Sequence, residues 1–199
     1  MNKQLISITI TVLILLVFSR QGISQAVYAG FTTGFTNVQV NLPDSHKYSS
    51  TKPGYNFGLY LRYGKRPFYQ GGIDFIRCRS NIKTGAGNPI NTPLHEFDFS
   101  LNVGYEILQK PFFKWNILGG PFIGKALLMS TANLNFRNND FVNPQFGLTA
   151  GTGIQITNFI INVEYAYHIS RFFNPSETKP FLGPESHIER LSLKFGVQF

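Results

Sequence analysis

Eight stretches of the chain alternate apolar residues with small or polar ones, the two-residue period of a strand with one face against an apolar medium. The first sets Val27, Ala29, Phe31, Thr33 and Phe35 against Tyr28, Gly30, Thr32, Gly34 and Thr36. The second opposes Tyr55, Phe57, Leu59, Leu61 and Tyr63 to Asn56, Gly58, Tyr60 and Arg62, and the third Tyr69, Gly71, Ile73 and Phe75 to Gln70, Gly72 and Asp74. The fourth is the most regular: Phe97, Phe99, Leu101, Val103, Tyr105 and Ile107 against Glu96, Asp98, Ser100, Asn102, Gly104 and Glu106. The fifth, 112–128, starts with Trp115 and Ile117 opposed to Lys114 and Asn116 and then loses its parity at Gly119, Gly120 and Pro121. A bulge or bend is expected there. The sixth (145–156), seventh (159–168) and eighth (190–199) alternate throughout.

The connections between these stretches alternate as well. Long polar ones are expected at Asn41–Gly54, Ser80–Pro93, Met129–Asn143 and Phe173–His187, and short ones at Gly64–Pro67, Gln109–Pro111 and Thr157–Asn158. In an up-and-down sheet every long connection then falls at one end and every short one at the other. Transmembrane barrels carry that asymmetry, with short periplasmic turns and long extracellular loops. The expected fold is all-β, an eight-stranded antiparallel up-and-down transmembrane β-barrel.

Composition decides which face looks outward. Charged residues make up 14% of the 199, against about 25% in ordinary soluble domains, while aromatics reach 15% and the net charge is +8. An eight-stranded barrel has an interior just wide enough for side chains to fill it. Gly, Ser, Thr and Asn with isolated charges fit such a lumen, and Phe, Tyr, Leu and Ile suit a lipid-facing wall. The alternative is a soluble lipocalin-like cup with its apolar face inside. That cup would need more charges, and on its outer side.

The inward set then contains Asp74, Glu96, Asp98, Glu106 and Glu164 with Arg62, Lys114, Arg190 and Lys194. Five acids against four bases is close to neutral, as expected of a salt-bridged plug that seals the lumen; a narrow ion path is the alternative. Tyr28, Tyr55, Tyr63, Tyr69, Tyr105, Trp115, Tyr165 and Tyr167 lie near strand ends and are expected in interfacial girdles. Arg77 and Arg79 share the parity of outward Phe75, and their planar forks suit lipopolysaccharide phosphates as well as solvent.

Ahead of the first strand, Lys3 precedes a 14-residue apolar run, Leu5–Phe18, too short to span a bilayer as a helix and the length of a signal-peptide core. Gly22 and Ser24 supply small residues at spacing two, so residues 1–24 are expected to be a cleavable signal peptide and 25–199 the barrel domain. The single cysteine, Cys78, rules out an intramolecular disulfide, and no cysteine follows the apolar run to carry a lipid anchor.

Two stretches carry a resemblance. Leu191, Leu193, Phe195, Val197 and Phe199 look like an outer-membrane assembly signal ending in a terminal Phe. Trp115-Asn-Ile-Leu-Gly-Gly-Pro-Phe-Ile-Gly124 resembles the fifth strand of the PorT-like outer-membrane β-barrel family, whose eight-stranded architecture is OmpA/OmpX-like. The resemblance implies residence in the outer membrane, contact with its lipid and lipopolysaccharide, and delivery by the barrel-assembly machinery. One member of that family is tied to protein secretion. The expected role is structural or interactive, through loops that meet an extracellular partner. The alternatives are an accessory of a secretion complex, or a narrow pore.

Catalytic, metal and cofactor motifs are lacking. His46, His95, His168 and His187 form no H-E-x-x-H or i, i+4 pair, and no phosphate-binding loop is present, so no cofactor is expected. Lys47, Lys52, Lys65, Arg66, Lys83, Lys110 and Lys179 are spread over turns and loops instead of forming a nucleic-acid patch. His168 and Ser170 share one face two residues apart, the single arrangement that suggests a lipid hydrolase; the expectation is that the protein is not an enzyme.

Overall fold

Each alternating stretch is a strand, and each pairs with the next in sequence. The computed structural model describes residues 27–41, 52–82, 90–128, 142–171 and 187–199, and among these no residue is helical. The expected signal peptide, 1–24, lies outside the described residues. The strands are β1 (Val27–Asn41), β2 (Lys52–Gly64), β3 (Phe68–Ile82), β4 (Ile90–Lys110), β5 (Phe113–Leu128), β6 (Gln145–Ile156), β7 (Phe159–His168) and β8 (His187–Gln198). They follow one another in order, all antiparallel, and β1 pairs with β8 to close the barrel.

Closure leaves no unpaired edge, the condition under which a sheet can cross hydrocarbon. The seam is pinned past the last strand residue. Phe199 donates its amide to the Ala29 carbonyl at 2.8 Å and accepts from the Ala29 amide at 3.0 Å. Short turns close one end. Gly64 leaves β2 with φ of +93°, a conformation that glycine adopts without side-chain conflict.

The pleat sorts the side chains as the apolar pattern requires. Phe35, Leu59, Ile73, Leu101, Leu148 and Leu191 stand more than half exposed on the outer wall, while Thr36, Asn56, Asn102, Asn116 and Asn162 are buried inside. A soluble cup would show the reverse. A wall this apolar and this continuous belongs in a bilayer. The protein is an eight-stranded antiparallel transmembrane β-barrel.

Three expectations need correction. β5 has no bulge at Gly119–Pro121: its pairing with β6 runs unbroken from Phe113↔Ile156 to Gly124↔Gln145. Leu118, Phe122 and Ala126 point inward and are buried, so apolar residues occupy both faces and the pattern fades while the pleat continues. A register shift lies instead in β4, between Glu106 and Leu108, where Ile107 and Leu108 both end up exposed on the wall. The second long connection is also shorter than expected. β3 and β4 stay paired as far as Ile82↔Ile90, which leaves residues 83–89 to join them. Residues 79–82 and 90–94 do not alternate apolar with polar, so the sequence pattern stops although the backbone ladder does not. Finally, Tyr28 belongs to the lumen and not to a girdle, with Lys114 Nζ 5.3 Å from its ring centre. Tyr55, Tyr63, Tyr69, Tyr105, Trp115, Tyr165 and Tyr167 do face outward.

Candidate functional site in the barrel lumen

Inward residues from all eight strands fill the barrel in three tiers. Nearest the long connections, β4 contributes Glu96 and Asp98, β8 Arg190 and β7 His168. Arg190 Nη1 donates to Glu96 Oε2 at 3.0 Å and its Nη2 donates to Asp98 Oδ2. His168 places Nε2 2.9 Å from Glu96 Oε1 and Nδ1 3.2 Å from the Ile188 carbonyl oxygen. His168 thus ties β7 to Glu96 on β4 and to the β8 backbone at once. Phe122 wedges between these groups, its ring edge-on to His168 at 4.9 Å and 5.5 Å from the Arg190 guanidinium.

In the middle tier Lys194 reaches from β8 to two carboxylates. Its Nζ lies 3.0 and 3.1 Å from the Asp74 oxygens and 2.7 Å from Glu164 Oε2. A cavity of about 20 Å³ beside it is lined by Thr32, Gln70, Asn102 and Asn162 among others. That is room for one water and not for a continuous file. Thr149 closes the adjoining wall by donating to Asn102 Oδ1 at 2.7 Å.

The tier nearest the short turns is the least ionic. Glu106 and Lys114 stand 3.8 Å apart, a loose pair. Arg62 is buried, yet its hydrogen bonds go to a carboxamide and not to a carboxylate: Nε and Nη2 donate to Gln70 Oε1 at 3.1 and 2.9 Å. Its guanidinium stacks 4.1 Å above the Phe68 ring, a cation–π contact that partly compensates the lost water. Tyr60 donates over Gly30 of β1 to Gln198 Oε1 on β8 at 3.1 Å. Gly104 on β4 makes room for Phe68, because a Cβ there would sit 2.1 Å from the ring.

The nine charged residues singled out from the sequence therefore all lie on the inner face. Eight of them pair with an opposite charge within 4 Å, in separate clusters, and Arg62 does not. Phe68, Phe122 and Gln70 complete the filling. Phe68 shares the parity of Gln70, and Phe122 that of Asn116, so strict counting along the strand would have found them. Buried Asn56 donates to Thr36 Oγ1, and Thr36 and Ser192 hydroxyls meet at 3.0 Å, extending the polar filling toward the seam.

Ser170 does not approach His168 as a nucleophile approaches its base. Its Oγ accepts from the Phe146 amide at 2.9 Å and caps that strand end, while both His168 nitrogens are engaged elsewhere. At the outer rim, Arg77 donates to the Tyr55 hydroxyl at 2.9 Å. The Arg79 side chain lies outside the described residues, as do His46, Lys47, Lys83 and Lys179.

No family model matches the chain, and no curated protein matches it. Among solved structures, the outer-membrane protein OprG from Pseudomonas aeruginosa is similar over 88% of this chain and 97% of its own, at 12% identity and a TM-score of 0.55. Neisserial surface protein A is similar over 89% of this chain and 100% of its own, at 13% identity and a TM-score of 0.51. At such identities the likeness is one of fold: this chain has the architecture of the eight-stranded outer-membrane β-barrels.

Proposed function

We propose that the protein is an integral outer-membrane barrel, closed to solutes, that acts through the surfaces at its two ends. The three-tier filling of the lumen carries this reading. Paired charges, two wedged phenylalanine rings and the small void beside Lys194 support a lumen closed to hydrated ions. A barrel that conducts nothing serves as a scaffold, and the four connections 42–51, 83–89, 129–144 and 169–186 are then its means of meeting an extracellular partner.

Outer-membrane lipid and lipopolysaccharide are the partners that the apolar wall and Arg77 suit. The outward row Leu191, Leu193, Phe195, Val197 and Phe199 lies beside the β1–β8 seam, where barrel-assembly machinery could read it before closure. A second reading, an accessory of outer-membrane protein secretion, is favoured by the likeness of Trp115–Gly124 to the fifth strand of the PorT-like family. Such an accessory would work through the short turns, at exposed Lys65, Arg66 and Phe112. Catalysis forms no part of the proposal, since the one candidate pair, His168 and Ser170, is committed to structural hydrogen bonds.

Trypsin shaving of intact cells tests the reading. The expected cuts fall in the long connections, at Lys47, Lys83 and Arg137, and spare Lys65–Arg66. Cutting at Lys65–Arg66 from outside, or recovery of the protein as a soluble periplasmic species, would overturn it.

A further inference from the structure

The outer wall is not uniformly convex. Across β1 to β4 it carries a groove of about 470 Å³, lined chiefly by Ala29, Leu59, Leu61, Gly71, Ile73 and Phe99. It is a shallow depression, open along the wall, and not an enclosed cavity. Its floor is made by two small residues, Ala29 and Gly71, both on the outward parity and both flanking Leu61 in register.

Gly71 is the informative residue. Every other described glycine has a neighbouring atom 3.3 Å or closer to where a Cβ would stand, so the barrel's own packing accounts for its size. At Gly71 the one atom met is Leu101 Cδ2, at an ordinary 3.6 Å. A larger residue would fit there, and nothing inside the protein calls for glycine. The space it leaves open faces outward.

The surroundings say what fills that space. The groove is continuous with the apolar wall, above and below: Ile73 and Phe99 stand on the side away from the short turns, Tyr63, Tyr69 and Val103 on the side toward them, all outward. No charged side chain contributes to the lining, so the occupant is a tail and not a headgroup. Gly71 is three residues from Phe68, where β3 begins, or about 10 Å along the strand. That depth corresponds to the first stretch of hydrocarbon beyond the short-turn interface. We propose that the groove is a docking site for one acyl chain of a phospholipid from the periplasmic leaflet, with the Tyr63–Tyr69 pair at its headgroup end.

This inference rests on the membrane orientation argued above, and its test separates the two. The full-length protein, folded into vesicles of phosphatidylethanolamine and phosphatidylglycerol, is photolabelled with phosphatidylethanolamine that carries a diazirine on one acyl chain. The labelled peptides are then mapped. Label is expected to be enriched several-fold on the Leu59–Leu61 and Gly71–Ile73 segments over the opposite wall at Leu148 and Val163. The enrichment should be lost in Gly71→Leu, which fills the groove. Ala29→Leu fills it from the other side and should act alike, so a folding defect in one variant does not decide the matter.

Even labelling around the barrel overturns the acyl-chain site while leaving the membrane reading intact, as does enrichment that survives both substitutions. Absence of label from the whole outer wall would instead sink the membrane reading itself.

Discussion

His168 on β7 and Glu96 on β4 meet across the lumen, Nε2 to Oε1 at 2.9 Å, with both side chains buried. The two residues are 72 apart in sequence, and their strands are not neighbours in the sheet. The contact therefore spans the interior rather than running along the wall, and it holds opposite sides of the barrel together.

A double-mutant cycle over His168→Phe and Glu96→Gln measures that contact. Residues in one hydrogen-bonded network couple by about 0.5–3 kcal/mol. Urea unfolding from vesicles, followed by Trp115 fluorescence, is expected to return a favourable coupling inside that range. Additive effects of the two changes would remove the cross-lumen tie from the account.

Lys194 is the sole base shown between Asp74 and Glu164. Lys194→Met is expected to destabilise the barrel by about 2–4 kcal/mol, somewhat less than a fully buried pair, because it leaves two partly buried carboxylates without this base. Replacing all three, with Asp74→Asn and Glu164→Gln added, should restore most of the loss. A triple variant as unstable as the single one would mean that the lysine stem, and not the charge pairing, carries the effect.

Gly104 and Phe68 form a size pair, one absent side chain for one ring. Gly104→Ala is expected to cost about 1–3 kcal/mol by overpacking, and Phe68→Leu in the same chain should recover part of it. The measurement is the urea midpoint of the single and double variants.

The direction of the apolar face gives an outward test. Leu101, more than half exposed in mid-strand, should tolerate arginine poorly: Leu101→Arg is expected to lose about 2–4 kcal/mol in a bilayer. A near-neutral effect would mean that Leu101 faces water and not lipid.

Strand existence and facing were legible in the sequence because one face meets lipid and the other a polar lumen, so hydrophobicity and the pleat share a period. The regularity of Phe97–Ile107 has that cause. Where the environment changes, the signal breaks while the structure does not. Leu118 and Phe122 fill the lumen with carbon and so mimic an irregularity in β5. The paired residues of β3 and β4 beyond Cys78 carry no apolar alternation, so the period could not show how far their ladder runs. Inward charge was readable residue by residue, but pairing was not. Lys194 joins Asp74 and Glu164 from strands at different distances in sequence, and Arg62 turns to Gln70 and the Phe68 ring. Those choices depend on how the strands are staggered around the barrel, which a single strand's period does not encode.

Single-channel recording tests the sealed lumen most directly. The protein would be inserted in planar bilayers, with its shift in gel mobility on boiling as proof that the inserted species is a folded barrel. No conductance step above the bare bilayer is expected from the unmodified chain. A reproducible ohmic step, carried by the heat-modifiable protein and abolished when the protein is boiled beforehand, would contradict the account and make the lumen a narrow pore.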